Sequence, residues 1–390
     1  MVIYVTNIWN HYNTTVCEPM VKLLGEDNFR LLTVCPVNDF VDAKARKGMK
    51  WDMMPPDEKW VVPNPKNMDE LENGPYIDLI EKAEVAVIGA LHPCRKLLKA
   101  AKRRYMSGKL TYVTNERFFK QYMTVHDFTF ANMYRWWRDH RIYSLPNMHY
   151  LPINYWAYRD MRFYDGCHDR IWHWAYFPHL TDHPTEKPEH DEYRIGWCGR
   201  YMELKHVDHI VEAMAMLPEP YRRRCRLSLI GEGETREKIE KLVRERGLQE
   251  QVEFKGYVSV SEVRKWMEGL DSYIFPSDVC EGWGVVLAEA MDKCCVPISC
   301  IEAGATLDLI DDGENGFVFA KGDCGRIARK LVWLMDHPEE KKRMGLNAWQ
   351  SMRGRTPQVA AERLVSLIKA HTTGDESLIP KEGICSKWVI

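Results

Sequence analysis

The chain has 390 residues, 45% hydrophobic and 28% charged, with a formal net charge of -2. That length suits two or three domains of about 100–200 residues, and that composition excludes a wholly disordered chain. The near-balance of charge excludes a general nucleic-acid binder, which needs a large basic excess. No segment approaches the ~18 apolar residues of a membrane-spanning helix; the longest run, Val85–Leu91, has strand length. The opening MVIYVTNIWNHYN lacks a basic segment and a signal-length apolar core, so the reading expects no export signal and a cytoplasmic chain. The 12 cysteines include no C-x-x-C pair. They read as small buried hydrophobes in a reducing compartment, and no zinc site is expected.

In chain order, the pattern predicts strand Ile3–Trp9, helix Cys17–Leu24, strand Leu31–Cys35, helix Tyr76–Lys82, strand Val85–Ala90, helix Arg95–Met106 and strand Leu110–Thr114. Alternation of short apolar strands with amphipathic helices implies a parallel sheet covered on both faces. Residues 118–180 are aromatic and irregular, and read as helices plus loops. Thr181–Asp191, with two prolines and almost nothing to bury, reads as a linker. A second alternation follows: strands at Tyr193–Cys198, Cys225–Ile230, Val252–Lys255, Ser272–Phe275, Val296–Ser299 and Gly316–Phe319. Helices are expected at Val207–Met216, Thr235–Arg246, Ser261–Glu268, Trp283–Met291 and Cys324–Met335. Pro357–Ala370 reads as an amphipathic helix, followed by a polar tail. The expected domains are therefore 1–185, 192–355 and a C-terminal helix and tail, 356–390, packing back on the first.

The strongest chemical signal is DVCEGWGVVLAEA, Asp278–Ala290. A strand ends at Phe275, a loop follows, and Gly282 and Gly284 open a helix. Glycines allow close backbone approach, and free N–H groups at a helix start suit an anion. Glu281 before that helix and Glu289 within it could grip two different diols. A single glutamate in a helix is ordinarily solvated; the pair framing a Gly-x-Gly helix start is less ordinary. Gly199–Lys205 places Arg200 and Lys205 after another strand, where two cations could neutralise a diphosphate. Alone, both would pass for surface charges. Gly231-Glu232-Gly233 after a strand could be no more than a turn.

Together these segments resemble the C-terminal domain of glycosyltransferase family 4, retaining enzymes of GT-B fold that use nucleotide sugars. The resemblance rests on Gly199-Arg200 with Lys205, Gly231-Glu232-Gly233, Phe254-Lys255-Gly256, Pro276-Ser277, Glu281 through Glu289, and Asp312-Gly313-Glu314-Asn315-Gly316. It implies an α/β architecture of two doubly wound Rossmann-like domains facing each other across a cleft. It further implies that Arg200, Lys205 and Glu281 serve catalysis. Glu289, Gly282, Trp283, Gly284, Val285, Gly231, Gly256 and Tyr257 would hold the donor.

The first half resembles the family more loosely. It carries Asn10-His11-Tyr12-Asn13 after the first strand and Asn115-Glu116-Arg117 after a later one. This spelling, with E-G-W-G, looks most like a bacterial subgroup associated with capsular and other cell-surface polysaccharides. Asn10, His11 and Glu116 are the acceptor-side candidates, each equally readable as an ordinary loop residue. Arg95–Lys109 holds seven Lys/Arg in fifteen residues. It reads either as a solvated helix or as a dock for an anionic membrane, which would make the chain peripheral to the inner face of the cell membrane. Arg135-Trp136-Trp137-Arg138 reads as core, interfacial anchor or sugar platform.

The resemblance implies transfer of a hexose, with retention, from a nucleotide diphosphate sugar to a saccharide or polyprenyl-diphosphate-linked acceptor. No D-x-D cluster ends a strand in the second half, so no obligatory metal or other cofactor is expected. Two other readings use the same architecture: a sugar-nucleotide epimerase and a non-catalytic partner subunit.

Overall fold

A computed structural model describes residues 1–36, 56–91, 93–117, 129, 130, 134, 137, 141–162 and 167–388. The chain divides into two units, Met1–His179 with Gly354–Ile390, and Leu180–Arg353. In the first unit lie β1 (Val2–Thr6), β2 (Phe29–Thr33), β3 (Val61–Val62), β4 (Val85–Ile88), β5 (Thr111–Asn115) and β6 (Met148–Pro152). They form one parallel sheet in the order β3-β2-β1-β4-β5-β6. β1 and β4 are buried along their whole length, which is why they read as continuous apolar runs. β6 corrects the expectation of helices and loops alone over 118–180. It is equally buried, but His149 interrupts the apolar pattern that would have marked it. His149 accepts from Trp172 Nε1 at 3.1 Å and stacks on His371 at 3.9 Å between ring centres.

His371 belongs to the Pro357–Thr373 helix, which starts at a Thr356 cap and ends at Gly374 with φ 77°. That helix packs on the Cys17–Leu24 helix, and Tyr112 of β5 donates to Leu367 O at 3.3 Å. The tail is bound as well. His173 and Ser386 share a backbone hydrogen bond of 2.9 Å, and Trp388 stacks on His173 at 3.6 Å.

The basic helix runs Arg95–Tyr105, and its cations divide. Arg104 is fully buried and donates to the carbonyls of Ile80, Ala83, Glu84 and Leu110 and to Thr111 Oγ1. Lys109 Nζ donates to Glu81 O at 2.8 Å. Seven cations thus overstate the basic surface. Arg95, Lys99 and Lys102 are exposed beside Leu98 and Met106. Within Arg135–Arg138 only Trp137 is described; it is exposed, with Arg141 5.3 Å from its ring centre. Arg135, Trp136 and Arg138 lie outside the described residues.

The second unit holds β7 (Tyr193–Cys198), β8 (Cys225–Ile230), β9 (Val252–Lys255), β10 (Ser272–Phe275), β11 (Val296–Cys300) and β12 (Phe317–Phe319). The order is β12-β11-β10-β7-β8-β9, again parallel throughout. Thr181–Asp191 is not a free linker. Thr181 N donates to both Asp292 oxygens at 3.0 Å, and Lys187 Nζ donates to Met267 O at 3.1 Å. Polar side chains, not apolar burial, attach this proline-rich stretch to the second unit. Among the described residues, no helix is long and apolar enough to cross a membrane.

Candidate functional site

In each sheet, strand order reverses between the first strand and the fourth, at β1/β4 and at β7/β10. The diverging loops beyond such a pair leave a crevice, the ordinary ligand position of a doubly wound sheet. In the second unit those loops carry Lys205, after β7, and Glu281, after β10. Their side chains form an ion pair, 16% and 13% exposed. Lys205 Nζ lies 5.9 Å from the centre of the Phe275 ring. The same ring packs on Gly284, the residue before the Val285–Asp292 helix, whose φ is 89°. A Cβ there would fall 2.1 Å from Phe275 Cζ. Glycine is therefore required twice, by dihedral and by space, and it seats the helix start beside the ion pair. Gly282 and Val285 are partly exposed at this entrance, whereas Trp283 is buried.

Asp278, which sequence reasoning did not single out, ties the rim together. Its Oδ2 accepts from His206 Nε2 at 2.9 Å and Lys321 Nζ at 3.0 Å, and its Oδ1 accepts from Cys280 N at 2.9 Å. Its own N–H donates to Leu204 O at 3.0 Å. The loops after β7, β10 and β12 thus meet on one buried carboxylate, held below the usual carboxylate range by these donors against the cost of burial. His206, next to Lys205, has φ 42°, an uncommon value for a residue with a side chain. The Asp278 bond helps hold it there. The signal available in sequence was an acidic residue just beyond a strand end; Lys321 offered none.

Glu289 is 4% exposed and sits inside the helix, as its sequence position required. The structure does not join it to Lys205 or Glu281 but to Arg264, of the Val260–Glu268 helix. Arg264 Nε and Nη2 both donate to Glu289 Oε1, at 3.1 and 2.9 Å. Burial raises the carboxyl pKa and Arg264 opposes the rise. Arg264 was missed because a lone arginine beside the core-facing Val263 and Met267 reads as surface. Arg200 is partly exposed and makes no hydrogen bond or ion pair among the described residues. Cys198, at the end of β7, has its thiol pKa pushed up to about 12 by burial, so it is no nucleophile near neutrality.

Gly231 and Gly233 have a definite partner. Cβ atoms on them would fall 1.9 Å from Gly199 O and 2.3 Å from Tyr201 O, with φ 130° and 156°. Their bareness lets the loop carrying Arg200 lie directly on the turn after β8. Gly256 faces the Glu232 side chain, and Tyr257 is exposed. His206, Asp208 and His209 bring potential metal-ligating atoms within 4.8 Å of one another. The two imidazoles are stacked 8° from parallel, however, so their in-plane lone pairs do not converge on one ion.

At the β1/β4 crevice of the first unit, Asn10 is buried and accepts from Tyr12 N at 3.1 Å and Asn13 N at 2.6 Å, closing its own turn. His11 is partly exposed, its ring edge-on to Tyr12 at 5.1 Å. Glu116 accepts from Tyr176 OH at 3.0 Å, and Tyr176 meets Tyr12 at 4.8 Å. Tyr176, also missed by sequence reasoning, thus links the loop of His11 to that of Glu116.

Residues 180–351 match the family described as glycosyl transferases group 1. The match spans nearly the whole second unit. Alpha-D-kanosaminyltransferase of Streptomyces kanamyceticus is 30% identical over 154 residues, 40% of this chain and 39% of that one. Poly(ribitol-phosphate) alpha-N-acetylglucosaminyltransferase of Staphylococcus aureus is 27% identical over 156 residues, 40% of this chain and 31% of that one. The chain thus spans less than half the length of these curated relatives. Over both units the fold is that of GT-B structures. HepE of Anabaena, solved with UDP, superposes with TM-score 0.68 at 12% identity, covering 96% of this chain and 99% of that one.

Proposed function

We propose that the chain is a retaining glycosyltransferase that moves a hexose from a nucleotide diphosphate sugar to a saccharide or polyprenyl-diphosphate-linked acceptor of cell-surface polysaccharide. The observation that carries this is the Lys205–Glu281 pair at the β7/β10 switch point, against the Gly284 helix start. Departure of the nucleotide builds negative charge on the β-phosphate. Arg200, Lys205 and the N–H groups following Gly284 stabilise that charge without a metal. Lys205 has three N–H donors, so it can meet a phosphate while still held by Glu281. Glu281 orients the sugar hydroxyls, and Glu289 accepts from the ribose diol. In the first unit, His11 and Glu116 face the acceptor. The exposed row of Arg95, Lys99 and Lys102 with Leu98 and Met106 offers an anionic membrane a footing. The names of the two curated relatives above, both transferases, support this reading over epimerisation.

Lys205→Met and Arg200→Ala should each lower turnover by about 100-fold or more with melting temperature preserved. Near-normal turnover in both would remove the diphosphate assignment. A changed sugar nucleotide formed from donor alone would instead identify an epimerase.

A further inference from the structure

We infer that Arg264 is a positioning residue of the nucleoside subsite: its guanidinium fork holds the Glu289 carboxylate as an anion, in one orientation, for a ribose diol. The inference rests on the donor reading above and adds a residue that no motif of the chain marks.

Three observations carry it. First, Arg264 Nε and Nη2 both donate to Glu289 Oε1, at 3.1 and 2.9 Å, so the guanidinium restrains the carboxylate through that oxygen. Second, Glu289 is 4% exposed and its partner's side chain 25% exposed. A pair this buried adds little stability over an apolar pair of the same size, because desolvation offsets most of the attraction. Third, Glu289 lies at the switch point. It sits in the helix that starts at Gly284 after β10, and Tyr273 OH of β10 donates to Cys198 O at the end of β7 at 3.0 Å, next to Gly199 and Arg200.

Among the described residues, the groups facing Glu289 include Arg264 on its neighbouring helix, Cys198 and Tyr273 on the strands, and Asp292 on its own helix. Arg264 is the cation that holds this carboxylate by hydrogen bonds. Without it, burial and Asp292 both push the carboxyl toward its neutral form, which donates where the ribose hydroxyls need an acceptor. Loss of Arg264 should therefore act through nucleoside affinity and its pH dependence rather than through the bond-breaking step.

The test measures binding of UDP and GDP, and of their 2′-deoxy and 3′-deoxy analogues, to the full chain by calorimetry from pH 6 to 8.5. Wild type should discriminate against at least one deoxy analogue by about tenfold or more, with little pH dependence. Arg264→Ala should bind the better diphosphate at least tenfold more weakly at pH 6, recover as pH rises, and discriminate poorly. In turnover, donor KM should rise while kcat changes by less than threefold. If the alanine variant does not fold, Arg264→Gln, of similar length and uncharged, should give the same pattern. Should a folded variant keep the wild-type discrimination and pH profile, the inference is overturned while the donor reading stands. Wild type that binds neither UDP nor GDP overturns the donor reading, and this inference with it.

Discussion

In the second unit the loops beyond the switch point meet through charge, Lys205 on Glu281 and His206 and Lys321 on Asp278. In the first, the loop after β1 closes through neutral groups. Asn13 Nδ2 donates to Thr6 Oγ1 at 2.9 Å, Tyr4 OH to Asn13 Oδ1 at 2.9 Å, and Asn10 caps its own turn. The strand order is the same in both sheets. Topology therefore supplies a crevice, and side chains decide what it can hold. A crevice of paired charges can trade partners with a diphosphate at small cost, whereas a loop closed by amides, hydroxyls and phenols suits uncharged hydroxyls.

The comparison can be broken at its strongest point first. Gly231→Ala would put a Cβ 1.9 Å from Gly199 O and should destabilise the second unit by about 3 kcal/mol, leaving the first unchanged. Urea denaturation followed by hydrogen exchange in each unit would show it; a loss under about 0.5 kcal/mol would mean that the two loops do not depend on this approach. Next, Asp278→Asn removes the charge that His206 and Lys321 share. Nucleotide-dependent turnover should fall about tenfold, with a stability loss of about 1–2 kcal/mol. Undiminished turnover would show that the rim is not fixed by this carboxylate.

Acid should act on the other unit. Burial holds the pKa of His149 down to about 3 and that of His371 to about 4, against an ordinary 6.5. Both rings are therefore neutral when folded, and the unfolded chain takes up protons first as pH falls. Stability is full above pH 6.5 and is lost from 6.5 down to about 4 for His371 and about 3 for His149, by up to ~1.4 kcal/mol per pH unit for each ring. Urea midpoints at pH 7 and 5 would measure this, and His371→Phe should flatten the slope. An unchanged slope would place the acid sensitivity elsewhere. The smallest effect is expected from Tyr176→Phe, which removes the bond to Glu116. Acceptor KM should rise two- to fivefold with donor KM unchanged; a change in donor KM instead would contradict the division of roles between the units.

Much of the fold was legible. Central strands such as β1, β4 and β10 are buried on both faces, so their apolar runs declare themselves. β6 was not, because its histidine is made compatible with burial by Trp172 and His371, which lie far away in sequence. The attachment of the proline-rich stretch after Leu180 was hidden for the same reason: Asp292, which binds Thr181, is more than a hundred residues away. At the site, Lys205, Glu281 and Gly284 could be named from local pattern, since strand ends and helix starts are local events. Asp278 and Arg264 could not, since their meaning lies in partners on other elements.

The sequence alone determined the β-α alternation, the placement of glycines and cations at strand ends, and the order of motifs in the second half. These follow from short-range sterics and periodicity, which any window of a dozen residues records. Only the tertiary structure decided that Arg104 faces inward, that Glu289 belongs to Arg264, and that one carboxylate joins three loops. Those pairings depend on which buried charges desolvation forces together across the sheet, and separation along the chain carries no trace of that.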